Sequence, residues 1–131
     1  MRFNGYHHIG LMTSNIERSL KFYTEGLGGE VIFSFPMPAN KEKVIYLVDL
    51  GGNAVVELIP NGVEDAEINA KFAHICLATD DVPEAFNAAI AAGARVRSEP
   101  TQGFLGTMER VGAFVFGPDD EVIEFFHVIS Q

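Results

Sequence analysis

Two histidines and two glutamates occupy matching places in a sequence that states its motifs twice. His8 opens His8-Ile9-Gly10-Leu11-Met12-Thr13, and His74 opens His74-Ile75-Cys76-Leu77-Ala78-Thr79. Glu57 stands in Val55-Val56-Glu57-Leu58, and Glu124 stands in Val122-Ile123-Glu124-Phe125. Glu57 lies 49 residues after His8, and Glu124 lies 50 after His74. A carboxylate inside an apolar strand is costly unless it is paired or bound to a cation. Two imidazoles and two carboxylates can hold one divalent ion and leave coordination sites for water or substrate. This mixed nitrogen and oxygen set suits Zn²⁺, Ni²⁺, Co²⁺, Fe²⁺ or Mn²⁺ better than Ca²⁺.

The elements that must position these groups follow from periodicity. Residues 6–12 alternate as a strand, with His8, Gly10 and Met12 on one face and Ile9 and Leu11 on the other. Ser14-x-x-Glu17 reads as a capping box opening a helix whose stripe is Ile16, Leu20, Tyr23 and Leu27, ended by Gly26, Gly28 and Gly29. Three strands are expected next. Val31–Phe35 is stopped by Pro36 and Pro38, Val44–Leu50 follows a polar turn over Asn40–Lys43, and Ala54–Ile59 follows the hairpin signal Gly51-Gly52-Asn53. After a polar, acidic stretch the pattern restarts. Lys71–Thr79 is a strand, and Asp81-x-x-Glu84 caps a helix with Pro83 in its first turn. Val82, Phe86, Ala89 and Ile90 are its stripe, and Gly93 ends it. A short strand beginning at Val96, a loop over Pro100–Gly106, a strand over Thr107–Phe116, a turn at Gly117–Asp120 and a strand over Glu121–Val128 complete the second half.

The expected fold is α+β, one domain over residues 1–131 built from two βαβββ modules (1–60 and 71–131) joined by a linker (61–70). Each sheet has a helix on one face only, so the bare faces must be buried together, within one chain or across a homodimer, of which the homodimer is expected. Ile9, Leu11, Val56 and Leu58 in the first module face its helix, as do Ile75, Leu77, Ile123 and Phe125 in the second. His8, Glu57, His74 and Glu124 then point the other way, into the concavity.

His7 falls on the opposite side of its strand from His8, and His127 shares parity with Ile123 and Phe125, so both read as structural. Cys76 shares parity with His74 and reads as a small wall residue. Apolar residues make up 47% of the chain, enough for a core and too many for disorder. A net charge of −9 argues against nucleic acid or an anionic membrane as partner. The single cysteine fits a reducing compartment, and no apolar run approaches a membrane span, so a cytoplasmic protein is expected.

With these residues in place, the chain resembles the vicinal oxygen chelate superfamily, which includes glyoxalase I, methylmalonyl-CoA epimerase, extradiol dioxygenases and bleomycin-binding proteins. The resemblance runs along essentially the whole chain. It rests on His8-Ile9-Gly10, Glu17 to Tyr23, Leu27-Gly28, Val56-Glu57-Leu58, His74-Ile75, Gly117-Pro118-Asp119 and Ile123-Glu124-Phe125. It implies paired βαβββ modules forming a barrel-like cup around a metal. A His/Glu/His/Glu set resembles glyoxalase I. The implied function is a metal-dependent lyase or isomerase that moves a proton through an enediolate stabilised by the metal. The metal would be one divalent ion per site, Ni²⁺ or Zn²⁺ ahead of Co²⁺, Fe²⁺ or Mn²⁺. The substrate would be a small carbonyl or thioester compound. Glu124 takes the general base role, with Glu57 the candidate on the other side. An acyl-thioester epimerase and a non-catalytic binding protein of the resistance type are the alternatives. The resemblance also marks substrate-binding positions. Asn61 lies four residues after the first glutamate, Met12 stands where the family usually carries an arginine, and Arg110 follows on the penultimate strand. Met12 has no charge, which leaves the thiol partner open. Phe33, Phe35, Tyr46, Met108, Phe114 and Phe116 include pocket walls, and half of them must be core by alternation.

Overall fold

The computed structural model describes residues 1–60, 72–117 and 122–131. The chain divides into two compact units, His8–Ala73 and Met1–His7 with His74–Gln131. The first contains β1 (Tyr6–Thr13, less its first two residues), α1 (Ile16–Lys21), β2 (Glu30–Met37), β3 (Asn40–Asp49) and β4 (Val55–Pro60). The second contains β5 (Phe72–Ala78, whose first two residues belong to the other unit), α2 (Val82–Ala91), β6 (Arg95–Leu105), β7 (Met108–Phe116) and β8 (Val122–Ser130). Each is therefore a βαβββ module. The strand orders are β2-β3-β4-β1 and β5-β8-β7-β6. In both, the first and last strands of the module run parallel and the hairpin partners run antiparallel.

Both helices begin with the same device. Asn15 Oδ1 accepts from the Arg18 amide and Asp81 Oδ1 from the Glu84 amide, each at 3.0 Å. Thr13 and Thr79 each accept from the amide of the capping residue at 3.2 Å. The cap of α1 is thus Asn15 and not Ser14, whose hydroxyl instead accepts from Arg18 Nη2. Removing the α2 cap by Asp81→Ala is expected to cost about 1 kcal/mol, read as a lower denaturation midpoint.

The second module has the fuller helix-side core. Val82, Ala85 and Phe86 of α2 pack with Ala113, Val115 and Phe125, all buried, and Leu77, Ala89, Ile90 and Ile123 surround them. The expected stripe of α2 is therefore present. In the first module α1 ends at Lys21 and continues as a wider, π-type turn over Phe22–Gly26. That turn takes more residues per revolution than an α-helix. Leu27 consequently leaves the stripe and is 54% exposed. Gly29 is needed where the chain turns back: a Cβ there would lie 2.5 Å from the Tyr23 carbonyl oxygen and 2.7 Å from Val48 Cγ1.

Two prolines expected to stop strands do not. Pro36 lies inside β2, and Pro100, expected to open a loop, lies inside β6. Both strands are at the end of their module's sheet, where a residue lacking an N–H is tolerated. The turn expected over Asn40–Lys43 is displaced, since β3 already starts at Asn40. The linker and the Pro118–Asp120 part of the turn lie outside the described residues.

Candidate metal centre

Alternation along the strands brings each histidine to its glutamate. In the first module β1 and β4 pair with Gly10 beside Glu57 and Leu11 beside Leu58. His8 Nε2 lies 3.6 Å from Glu57 Oε1. In the second module β5 and β8 pair with Cys76 beside Glu124 and Leu77 beside Phe125. His74 Nε2 lies 3.1 Å from Glu124 Oε1. All four side chains are buried, at 3% exposed for His8, 7% for Glu57, 8% for His74 and 6% for Glu124.

Apolar residues lie across the sheet from both carboxylates. Leu47 lies directly across from Glu57, and buried Ile45 and Phe35 pair further along the same face. Phe114 lies across from Glu124, and its ring stands edge-on to His74 with centroids 5.9 Å apart. Cys76 is fully buried, in keeping with a wall residue. Of the expected aromatic walls, Phe33, Phe35, Phe114 and Phe116 share the glutamate faces by register, whereas Tyr46 pairs with Leu58 on the helix side. Met108 is buried. His7 packs on Phe126, ring centroids 4.6 Å apart.

The donor chemistry of each pair fits a divalent ion. Two ligand atoms about 2.1 Å from one ion, at tetrahedral or octahedral angles, sit about 3.0–3.4 Å apart. Each His–Glu pair offers a nitrogen and an oxygen near that separation. The Nε2–Oε1 distance of 3.6 Å in the first pair is longer than a good hydrogen bond and close to the separation of two ligands on one ion.

The residues assigned to substrate have separate fates. Arg110 approaches Glu124 across Gly112, where a Cβ would lie 3.7 Å from both Arg110 Nε and Glu124 Oε2. Arg110 Nη1 also donates to the Thr101 carbonyl at 3.1 Å. Met12 borders a cavity of about 280 Å³ together with Arg18 and Tyr23. Asn61 lies outside the described residues. Sequence reasoning missed two cations. Arg97 stacks over Phe114 at 5.2 Å, and Arg95 over Phe116 at 5.3 Å. The signal was present as Arg95-x-Arg97 facing Phe114-x-Phe116, two residues apart on each side of one hairpin. Among the described residues, no helix is long and apolar enough to cross a membrane.

Comparison with known proteins agrees with this architecture. The model of the Glyoxalase/Bleomycin resistance protein/Dioxygenase superfamily matches residues 5–125. A probable lactoylglutathione lyase of Vibrio parahaemolyticus is 34% identical over 125 residues, covering 89% of this chain and 86% of that protein. A probable chloroplastic lactoylglutathione lyase of Arabidopsis thaliana is 32% identical over 115 residues. That match covers 86% of this chain but only 32% of the plant protein, so the chain spans about a third of its length. The crystal structure of methylmalonyl-CoA epimerase from Mycobacterium tuberculosis superimposes with a TM-score of 0.72 at 17% identity, over 95% of this chain and 87% of that one. This last likeness is one of fold.

Proposed function

The chain belongs to the Glyoxalase/Bleomycin resistance protein/Dioxygenase superfamily, and from that premise we propose that it is a metal-dependent lyase or isomerase of the glyoxalase I type. The observation that carries this reading is the pair of buried His–Glu couples, His8 with Glu57 and His74 with Glu124, at repeated positions on strands whose other face is core. His8, Glu57, His74 and Glu124 are the residues that would serve as ligands to a divalent ion, Ni²⁺ or Zn²⁺ in first place. When bound, that ion supplies positive charge against the neighbouring oxygens of a small carbonyl compound as negative charge develops on them.

The protein's own groups do the rest. Glu124 takes the proton from the carbon next to the carbonyl and returns it to the adjacent carbon, acting first as base and then as acid. An apolar neighbour of Glu124, Phe114, keeps water from competing for that proton. Arg110, beside Glu124 across Gly112, is placed to meet a negative group on the substrate. The lactoylglutathione lyase names of the relatives favour the hemithioacetal of methylglyoxal and glutathione as the first substrate to try.

Stripping the protein with a chelator is expected to abolish turnover of that hemithioacetal and to lower the thermal midpoint. Ni²⁺ or Zn²⁺ should restore both, because an ion bound only by the folded state stabilises it. Full turnover by protein shown to be metal-free would sink the assignment. An epimerase acting on an acyl thioester needs the same proton abstraction. Turnover of methylmalonyl-CoA in place of the hemithioacetal would move the reading there.

A further inference from the structure

We propose that the first module carries a second binding site, on the helix side of its sheet, that takes a small organic carboxylate. The site is the cavity of about 280 Å³ at the end of β1. Leu11 and Leu58 give it an apolar floor, on the sheet face opposite Glu57. Arg18, Tyr23 and the hydroxyls of Thr13 and Ser19 give it polar walls.

The internal repeat supplies the comparison. Aligned on their histidines, the modules place Ala85 where the first has Ser19, Glu84 where it has Arg18, and Asp80 where it has Ser14. In the second module this region is filled core, with Val82 and Ala85 each 1% exposed against Phe125 and Val115. In the first, neither α1 nor the turn after it buries a single residue. One copy closes the space and the other leaves it open. The charge around it also reverses. The second module has two acids at these positions, whereas the first has a serine and an arginine.

The polar groups are arranged for an anion. Arg18 Nη2 donates to Ser14 Oγ at 3.3 Å, which steadies the guanidinium at the cavity. Thr13 is 8% exposed, and its hydroxyl is bonded to that of Ser19 and to the Asn15 backbone. That network holds the cavity wall in place. Tyr23 also lines the cavity, and a phenol hydroxyl can donate. A carboxylate would take the Arg18 and Tyr23 donors while its hydrocarbon part lies on Leu11 and Leu58. The volume lies just below the range of about 300–1,000 Å³ usual for ligand sites, which limits the ligand to a single ring or a short chain.

The test is a titration of the zinc-loaded, isotopically labelled protein with sodium benzoate and, separately, with neutral benzamide, following amide chemical shifts. Benzoate is expected to give saturable shifts centred on residues 11–23 and Leu58, and to bind about tenfold or more tightly than benzamide, the worth of one charged hydrogen bond. Arg18→Glu, which copies the second module at an exposed position, should weaken benzoate by at least about tenfold. Ser19→Leu should fill the cavity and remove the shifts. If Ser19→Leu does not fold, Arg18→Glu decides the matter alone. The proposal is overturned if benzoate shifts stay linear, centre on Glu57 or Glu124, match those of benzamide, or persist unchanged in Arg18→Glu.

Discussion

Glu124→Gln is expected to lower turnover of the methylglyoxal–glutathione hemithioacetal by about 10²–10⁴-fold, the range lost when a positioned acid–base group is removed. Glutamine keeps the volume and the reach of glutamate, so the strand and its neighbours need not move. What disappears is the ability to take a proton, together with the negative charge offered beside His74 at 3.1 Å. The thermal midpoint of the metal-free protein should change little. Measuring kcat alongside substrate-dependent exchange of the transferred proton with deuterated solvent checks the role. Loss of both in protein shown to retain its divalent ion supports Glu124 as the base. Full exchange with normal turnover would assign the proton to another group, of which Glu57 is the first candidate.

One residue further along β8 the expected outcome is reversed. Phe125→Ala should cost about 3–5 kcal/mol of stability, the usual loss for a large aromatic removed from a core. Phe125 is 3% exposed and packs with Val82, Ala85 and Phe86 of α2 and with Ala113 and Val115 of β7. A domain of this size holds about 5–15 kcal/mol in all, so the substitution removes a large part of it. The denaturant midpoint should fall steeply. Under the proposed metal reading, the fraction that remains folded should still bind a divalent ion, because Phe125 and Glu124 lie on opposite faces of β8. An unchanged midpoint would exclude Phe125 from the core. Two adjacent side chains thus divide the proposed chemistry from stability, as strand alternation requires.

That division was legible in the amino-acid sequence. Alternation is a local property of an extended chain, so the parity of Glu124 against Ile123 and Phe125 fixes which of them share a face. The repeat then transfers the same assignment to His8, Glu57 and His74. The helix caps were nearly as legible, although Asn15 and not Ser14 takes the role in α1. A one-residue difference of this kind is decided by which side chain reaches the Arg18 amide.

Other features depended on partners far away in the chain. Pro36 and Pro100 read locally as strand breakers. They lie within β2 and β6 because those strands occupy the ends of their module sheets, and sheet order is not written in any short window. Arg97 meets Phe114 only through the register of β6 on β7, with its irregularity between Val96 and Ser98. The open space beside Arg18 and Tyr23 was equally hidden, since the stripe of α1 predicts packing and cannot report that the packing stops short. Period and repetition along the chain were enough for the two modules and the faces of their strands, and they singled out the four residues proposed for a metal. Which arginine meets which ring, the tolerance of two prolines and the cavity in the first module depend instead on which distant strand or helix comes alongside and how closely it packs.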